Sequence, residues 1–267
     1  MPKPFFHQGM RTHVSAILGA ATPDEVVCKY RAAESDGADS AALELRFLKP
    51  EYRNFESLHK IIHATQLPTM AVMYRNDCFK ELVEDAPRQE LLLLAAEAGA
   101  AVIDVMGDLY SPAPDENTHD PDAVSRQKNL IGEIHARGAL ALMSSHPKRF
   151  MRAEEVVAQL KDFQDRGADI VKIVTKADTP EEYLETMRGT LMAYQTLKVP
   201  FVHISNGSFG RLHRMHGLSL GVGITFAVHE YYTDAQFFQP TVKDFRQVME
   251  HTRWEIGSCI AKQNASK

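Results

Sequence analysis

Four segments of the chain share one pattern, in which a helical stretch ends at Gly-Ala and a β-rich run follows. The glycines of these segments are Gly37, Gly99, Gly138 and Gly167. Glycine just past a helix readily adopts the left-handed conformation that ends it, so each segment predicts a short passage from helix to strand. The reverse passage is marked at "ATPDEV" and "DTPEEY", where Thr, Pro and Glu form a capping box with proline at the first helical position. Such alternation is typical of an α/β protein with a parallel sheet.

The number of β-rich runs predicts the fold class. We predict eight strands, at residues 12–18, 41–48, 69–75, 101–106, 139–144, 170–175, 201–205 and 224–228. About eight βα units in ~250 residues is typical of a (β/α)8 TIM barrel. The alternative, an open doubly wound sheet, would need fewer units or a second domain, and the sequence shows neither a linker nor G-x-G-x-x-G after the first strand. We therefore predict one TIM-barrel domain over residues 1–267.

Composition excludes several functional classes. The net charge is −5 and no Lys/Arg cluster stands out, so nucleic-acid binding is not expected. No apolar run reaches the ~20 residues of a membrane helix, and "MPKPFFHQGMR" lacks the apolar core of a signal peptide, so we expect a cytoplasmic protein. Cys28, Cys78 and Cys259 are too few and too far apart for a disulfide framework or a zinc knuckle. The sequence leaves a homodimer open.

One lysine stands in an otherwise apolar strand, "GADIVKIVTK". Ile170, Lys172 and Val174 share one face of this strand, and we assign that face to the barrel interior. Burying an ammonium without a partner costs roughly several kcal/mol, so apolar walls and cationic neighbours would lower the pKa of Lys172. A neutral amine is a nucleophile that forms Schiff bases with ketones.

Other polar residues fall at the carboxyl ends of predicted strands, where TIM barrels carry their active sites. Glu44 and Arg46 are two residues apart, so we expect both to face the interior. Arg75 ends the third strand, His146 ends the fifth, and Arg214 follows the seventh. An imidazole beside the amine suits proton transfer, and arginines suit carboxylates, which predicts a small, carboxylated ketone as substrate. Each residue alone has a structural alternative, such as an ion pair inside the barrel, and the site is favoured because all of them converge on one end.

These residues resemble type I 3-dehydroquinate dehydratase over nearly the whole chain. The family's Glu-x-Arg on the second strand is matched by Glu44 and Arg46, and its "GADI-x-K-I" by the segment of Lys172. Its Ser-x-His on the fifth strand is matched at His146, and its third-strand arginine by Arg75. The segment after its seventh strand resembles "SNGSFGRLHR", which carries Arg214.

The resemblance implies a lyase of the shikimate pathway that dehydrates 3-dehydroquinate to 3-dehydroshikimate without a metal or cofactor. Lys172 would form the imine and His146 would act as general acid and base. The substrate would be bound by Glu44, Arg46, Arg75, Arg214 and Gln239.

Two departures from the family pattern leave residues open. The family's last loop reads Ser-Ala-Pro-Gly-Gln, whereas here it reads "TDAQFFQP", in which Gln239 is the best match for the glutamine and Gln236 the rival. Phe237 and Phe238 of this loop either cover a ligand or dock the final helix. The family also places a Glu after the third-strand arginine to orient the histidine, and here only Glu81 is near that place.

Three other functions remain as alternatives. The altered loop favours another Schiff-base lyase, or a class I aldolase, acting on a related carboxylated polyol ketone. A metal-dependent barrel enzyme would use histidines of the last third of the chain, which include His203, His213, His216 and His229. A non-catalytic sensor of a shikimate-type ligand is disfavoured, because binding alone does not need a buried amine.

Overall fold

The computed structural model describes residues 2–7, 12–75, 84–231 and 239–257. Within these ranges strands and α-helices alternate along the chain. The strands are β1 (His13–Leu18), β2 (Ser40–Glu44), β3 (Thr69–Val72), β4 (Val102–Met106), β5 (Leu140–Ser145), β6 (Ile170–Lys176), β7 (Phe201–Asn206) and β8 (Ile224–Ala227). The helices are α1 (Pro23–Ser35), α2 (Phe55–Ile62), α3 (Asp85–Glu97), α4 (Pro121–Ala136), α5 (Ala153–Asp165), α6 (Pro180–Thr196), α7 (Gly210–Gly217) and α8 (Val242–Thr252).

The eight strands form one parallel sheet in the order β7-β6-β5-β4-β3-β2-β1-β8. Gly223, next to β8, donates its amide to the carbonyl of Phe201 in β7 at 2.8 Å, which draws the two ends of the sheet together. The sheet is therefore a nearly closed barrel, and the predicted (β/α)8 TIM barrel is confirmed. None of the helices within the described ranges has the length and apolarity that crossing a membrane requires.

The predicted helix caps and helix-ending glycines are both present in the structure. Thr22 and Thr179 each accept the amide of a Glu three residues on, and that Glu caps the threonine amide in return. The four glycines of the repeated pattern have φ values between 79° and 105°, a region that side chains with a Cβ rarely adopt.

Two predicted strands are too long. β2 stops at Glu44, four residues before its predicted end, because Leu45–Phe47 forms a 3₁₀ turn. The side chain of Phe47 is 36% exposed and lies against Gly19. β3 stops at Val72, three residues before the predicted end at Arg75.

Strand alternation separates two apolar layers. Outward-facing residues pack under the helices, as Val156, Leu160 and Phe163 of α5 do from the opposite side. Inward-facing residues form a second cluster that includes Met70, Val102, Leu142 and Ile170. Phe5, from the N-terminal segment, belongs to this inner cluster and stacks on His13 at 4.4 Å between ring centroids. The interior near the strand starts is thus mainly apolar, although it also holds His13 and the hydrogen-bonded pair Ser15 and Ser40.

Candidate active site

Lys172 projects from β6 into the barrel with Ile170 and Val174, as predicted, and is only 4% exposed. Its Nζ donates to the hydroxyl of Tyr74 at 2.6 Å and lies 3.5 Å from Oδ2 of Asp104. The ring of Phe226 is 5.0 Å from Nζ and supplies an apolar wall. The expectation of cationic neighbours is wrong at the closest contacts, since among the described residues the nearest charged group to Nζ is the carboxylate of Asp104.

Asp104 balances the charge of the buried amine. It faces inward from β4 and is 3% exposed. Its Oδ1 accepts a hydrogen bond from Ser144 Oγ at 2.5 Å, and Ser144 of β5 lies in register with Lys172 of β6. A buried ion pair is tolerated when further hydrogen bonds satisfy its remaining atoms, and Ser144 does this for the carboxylate.

Tyr74 follows β3 and points into the same space. Its hydroxyl lies 3.4 Å from Asp104 Oδ2 in addition to its contact with Lys172. Its ring packs edge-on against the imidazole of His146, with 4.7 Å between centroids. Burial and the negative charges of Asp104, Glu44 and Glu116 raise the pKa of Tyr74 well above its usual value, so it stays a neutral phenol.

His146 directly follows β5, and a carboxylate fixes its orientation. Oε2 of Glu116 lies 2.9 Å from His146 Nδ1 and accepts the backbone amide of His146 at 2.8 Å. Because a carboxylate only accepts hydrogen bonds, we assign the imidazole proton to Nδ1, which leaves Nε2 as the basic nitrogen. Burial and the nearby charge of Lys172 lower the pKa of His146, and Glu116 opposes them, so the ring is neutral near pH 7.

The loop after β4 holds Glu116 in place. Glu116 has a φ of 50°, in the left-handed region. The buried guanidinium of Arg166 donates to the carbonyls of Gly107 and Thr118 and to the side chain of Asn117, which pins the loop on both sides of Glu116. Burial opposes ionisation of Glu116, but hydrogen bonds from His146 and the charge of Lys172 lower its pKa below its ordinary value. Sequence reasoning missed Glu116, and Glu81 lies outside the described residues.

Arg214 supplies a buried cation from α7. It is 3% exposed, and its Nη2 donates to Oδ1 of Asn206, the last residue of β7, at 3.1 Å. Burial lowers the pKa of Arg214 to about 10, so the guanidinium is still charged at neutral pH. A positive charge in a largely apolar cavity is suited to bind a carboxylate.

Glu44 and Arg46 form an ion pair at the end of β2, with Arg46 Nε 2.7 Å from Glu44 Oε2. The guanidinium of Arg46 also lies over the ring of Phe47, 4.7 Å from its centroid. The pair therefore presents one carboxylate and one guanidinium at the mouth of the barrel.

These side chains surround a cavity of about 150 Å³. Its polar lining consists of Glu44, Tyr74, His146, Lys172, Asn206, Arg214 and Gln239. A cavity of about 410 Å³ adjoins it, shares Ile17, Glu44 and Gln239, and is also lined by Arg46. Oε1 of Gln239 is buried and has no hydrogen-bond partner among the described atoms. Gln236, Phe237 and Phe238 lie outside the described residues.

Of the seven predicted site residues, Arg75 is the one that lines neither cavity. Its Nη1 bonds both carboxylate oxygens of Asp108, at 2.7 and 2.8 Å, and Nε bonds Asp85 at 3.2 Å. Alternation explains this position, since Val72 and Tyr74 point inward, so Met73 and Arg75 point outward. Its role in substrate binding stays a prediction.

The histidines of the metal alternative are distributed over separate places. His203 and His213 both contact the hydroxyl of Thr190, whereas His216 bonds Tyr183 and His229 bonds Asp36. Among the residues that the structure describes, no group of three or more His, Cys, Asp or Glu side chains could hold a metal ion.

The sequence is similar to known 3-dehydroquinate dehydratases. Residues 15–253 match the model of the type I 3-dehydroquinase family. A 3-dehydroquinate dehydratase from Aromatoleum aromaticum is 31% identical over 162 residues, which cover 60% of this chain and 57% of that protein. Another, from Lactiplantibacillus plantarum, is 30% identical over 42% of this chain and 44% of that protein. The chain thus aligns with about half the length of these curated relatives.

Solved structures show the same fold. The 3-dehydroquinate dehydratase of Geobacillus kaustophilus superposes with a TM-score of 0.76 at 16% identity, covering 92% of both chains. The type I enzyme of Clostridium difficile with covalent modified comenic acid also gives 0.76, at 15% identity and over 91% of this chain and 92% of that one.

Proposed function

Because the chain belongs to the type I 3-dehydroquinase family, we propose that it dehydrates 3-dehydroquinate to 3-dehydroshikimate through an imine on Lys172. One observation carries the proposal. The amine of Lys172 and the imidazole of His146 line one small cavity that also contains the buried guanidinium of Arg214. An amine, a base and a carboxylate-binding cation are the groups that this reaction needs.

The chemistry follows from the positions of the two catalytic groups. Nζ of Lys172 gives up a proton and attacks the ketone carbon. That proton and a second one from the nitrogen end on the oxygen that leaves as water, and the protonated imine that results withdraws electrons from the adjacent carbon. Nε2 of His146 takes a proton from that carbon, and the resulting imidazolium returns it to the hydroxyl that leaves as water. Hydrolysis of the conjugated imine then releases the product and restores Lys172.

Glu116 serves this proton transfer by holding His146. A carboxylate that accepts Nδ1–H fixes the tautomer and stabilises the imidazolium that forms during the reaction. Glu116 would therefore be a positioning residue for the histidine, in the role for which the sequence offered only Glu81.

Substrate binding is assigned to the remaining lining residues. Arg214 would pair with the substrate carboxylate, and Gln239, whose amide lines both cavities, would hydrogen-bond the same end of the molecule. The ion pair of Glu44 and Arg46 would bind ring hydroxyls. The names of the curated relatives support 3-dehydroquinate as the substrate. The covalent modified comenic acid in the Clostridium difficile structure supports a covalent route.

Borohydride trapping tests the proposal. The protein is incubated with 3-dehydroquinate, reduced, digested and analysed by mass spectrometry, and we expect an adduct on Lys172. Lys172→Met, which keeps an apolar chain of similar length, should abolish both adduct and turnover. Lys176→Met is the matched control, because Lys176 ends the same strand but is exposed and paired with Asp178. An adduct on Lys176, or turnover in Lys172→Met, would contradict the assignment.

A second candidate is another Schiff-base lyase, or a class I aldolase, acting on a related carboxylated polyol ketone. The ion pairs of Arg75 with Asp108 and Asp85 favour it, because they occupy a guanidinium that the family resemblance assigns to the substrate. Screening carboxylated cyclic and open-chain ketones for trapping and turnover separates the two. Trapping of 3-dehydroquinate without turnover, together with turnover of another ketone, would favour the second candidate.

A further inference from the structure

The hydroxyl of Tyr74 is the closest polar atom to Nζ of Lys172 among the contacts that the structure describes, at 2.6 Å. It is also one of the lining groups of the cavity, so a ketone held against Nζ would meet it. The mechanism above uses Lys172 and His146 but gives Tyr74 no part.

Imine formation requires proton transfers as well as bond changes. When an ammonium and a ketone give a protonated imine and water, a C–N bond forms and the C–O bond breaks. The nitrogen loses two protons, and both end on the oxygen that leaves as water. This reaction needs no oxidant or external acid. It does need a group that moves protons from the nitrogen to the former ketone oxygen.

The other groups near Nζ are less suited to this task. Asp104 is farther away, at 3.5 Å, its second oxygen is engaged by Ser144, and it does not line the cavity. The Nδ1 of His146 is held by Glu116, and the hydrogen bonds that the structure describes for Nζ go to Tyr74 and Asp104, not to His146.

We propose that Tyr74 is a catalytic residue that relays protons between Lys172 Nζ and the substrate ketone oxygen while the imine forms and hydrolyses. A phenol donates and accepts at the same oxygen, so it can take a proton from nitrogen while it gives its own to the developing alkoxide. The raised pKa of Tyr74 suits a concerted relay, because the hydroxyl keeps its proton until another replaces it. The inference rests on the proposed function in that Lys172 must form an imine.

The test compares Tyr74→Phe with wild type and with Tyr110→Phe. The first variant keeps the ring that packs on His146 and removes only the hydroxyl. Tyr110 is a matched control, since it is a partly buried tyrosine whose hydroxyl bonds Gln89 outside the cavity. Rapid mixing followed by borohydride quench measures the rate of adduct formation, with 3-dehydroquinate and with pyruvate as a small keto-acid probe.

We expect Tyr74→Phe to slow adduct formation about 100-fold or more, in the ~10²–10⁴ range of general acid–base groups, while Tyr110→Phe matches wild type. The isotope effect of a substrate deuterated at the carbon that loses its proton should shrink in Tyr74→Phe, because imine formation then limits turnover. An adduct rate equal to that of wild type, or an equal loss in Tyr110→Phe, would overturn the role of Tyr74.

The two probes separate this inference from the proposed function. If wild type forms an adduct with pyruvate but not with 3-dehydroquinate, the proposed function is wrong. The rates of pyruvate adduct formation in wild type and Tyr74→Phe then still test the role of Tyr74. If neither probe labels Lys172 in wild type, both proposals are wrong.

Discussion

Replacing Glu116 with Gln tests how the loop after β4 controls His146. The substitution keeps the shape of the side chain and removes its charge. Glu116 Oε2 contacts both Nδ1 and the backbone amide of His146, at 2.9 and 2.8 Å. A hydrogen bond to a charged group is worth ~1.5–3 kcal/mol and a neutral one ~0.5–1.5 kcal/mol, so each contact loses roughly 1–1.5 kcal/mol.

Since about 1.4 kcal/mol corresponds to a tenfold change in rate, we expect kcat to fall roughly tenfold if only the Nδ1 contact matters to the transition state. The fall approaches ~100-fold if the backbone contact also positions the ring. The pH profile of kcat provides a second test, because the substitution should shift the pKa of His146 in a known direction. Burial and Lys172 lower the pKa of His146 and Glu116 opposes them, so losing the carboxylate lowers that pKa further. A base works when it is deprotonated, and the acid limb of kcat should therefore move to lower pH.

The assay is steady-state dehydration of 3-dehydroquinate, followed by the ultraviolet absorbance of the conjugated product between pH 5 and 9. Asp115→Asn is the matched control, because Asp115 is the preceding residue and its carboxylate pairs with Arg149 instead of a catalytic group. An unchanged kcat and acid limb in Glu116→Gln would refute the reasoning. So would an equal fall in Asp115→Asn, which would point to damage to the loop.

Three further predictions follow from the cavity and its surroundings. His146→Ala should still form the imine and should lose ~10²–10⁴-fold in turnover, so intact-protein mass spectrometry should detect a covalent species that accumulates. Gln239→Ala should raise KM while borohydride still traps an adduct on Lys172, and an unchanged KM would show that Gln239 does not bind the substrate. Arg75→Ala should lower the free energy of unfolding by ~3–5 kcal/mol in urea titration, because it leaves the buried carboxylate of Asp108 unpaired. If Arg75 is instead a substrate ligand, as the resemblance implies, KM should rise with little loss of stability.

The fold was predictable because its signals are local and repeated. Capping boxes at Thr22 and Thr179 and left-handed glycines such as Gly167 each specify one passage between helix and strand. Eight repeats leave few topologies other than a barrel. Strand ends were less predictable, because Leu45–Phe47 has the alternation of a strand and nevertheless forms a 3₁₀ turn once the sheet ends at Glu44.

Alternation could place the residues on the strands and, after β3, the three residues that directly follow it. Counting by two from Ile170 places Lys172 in the interior, and the same count from Val72 places Tyr74 there and turns Arg75 outward. The signal for Tyr74 was therefore in the sequence, and the family resemblance directed attention to its neighbour. Asp104 follows from the same rule on β4, since Val102 faces the interior.

Strand alternation could not predict the position of Glu116, because Glu116 lies in a loop without a repeating geometry. The segment "GDLYSPAPDENTHD" contains several carboxylates, and nothing in its order distinguishes the one that meets His146. What selects Glu116 is long-range packing. Arg166, 50 positions later in the chain, binds the side chain of Asn117 and the carbonyl of Thr118, and Asp108 is paired with Arg75. The base of this site is therefore positioned by contacts that the folded barrel creates, so the residue that orients His146 can be found from the structure and not from a motif.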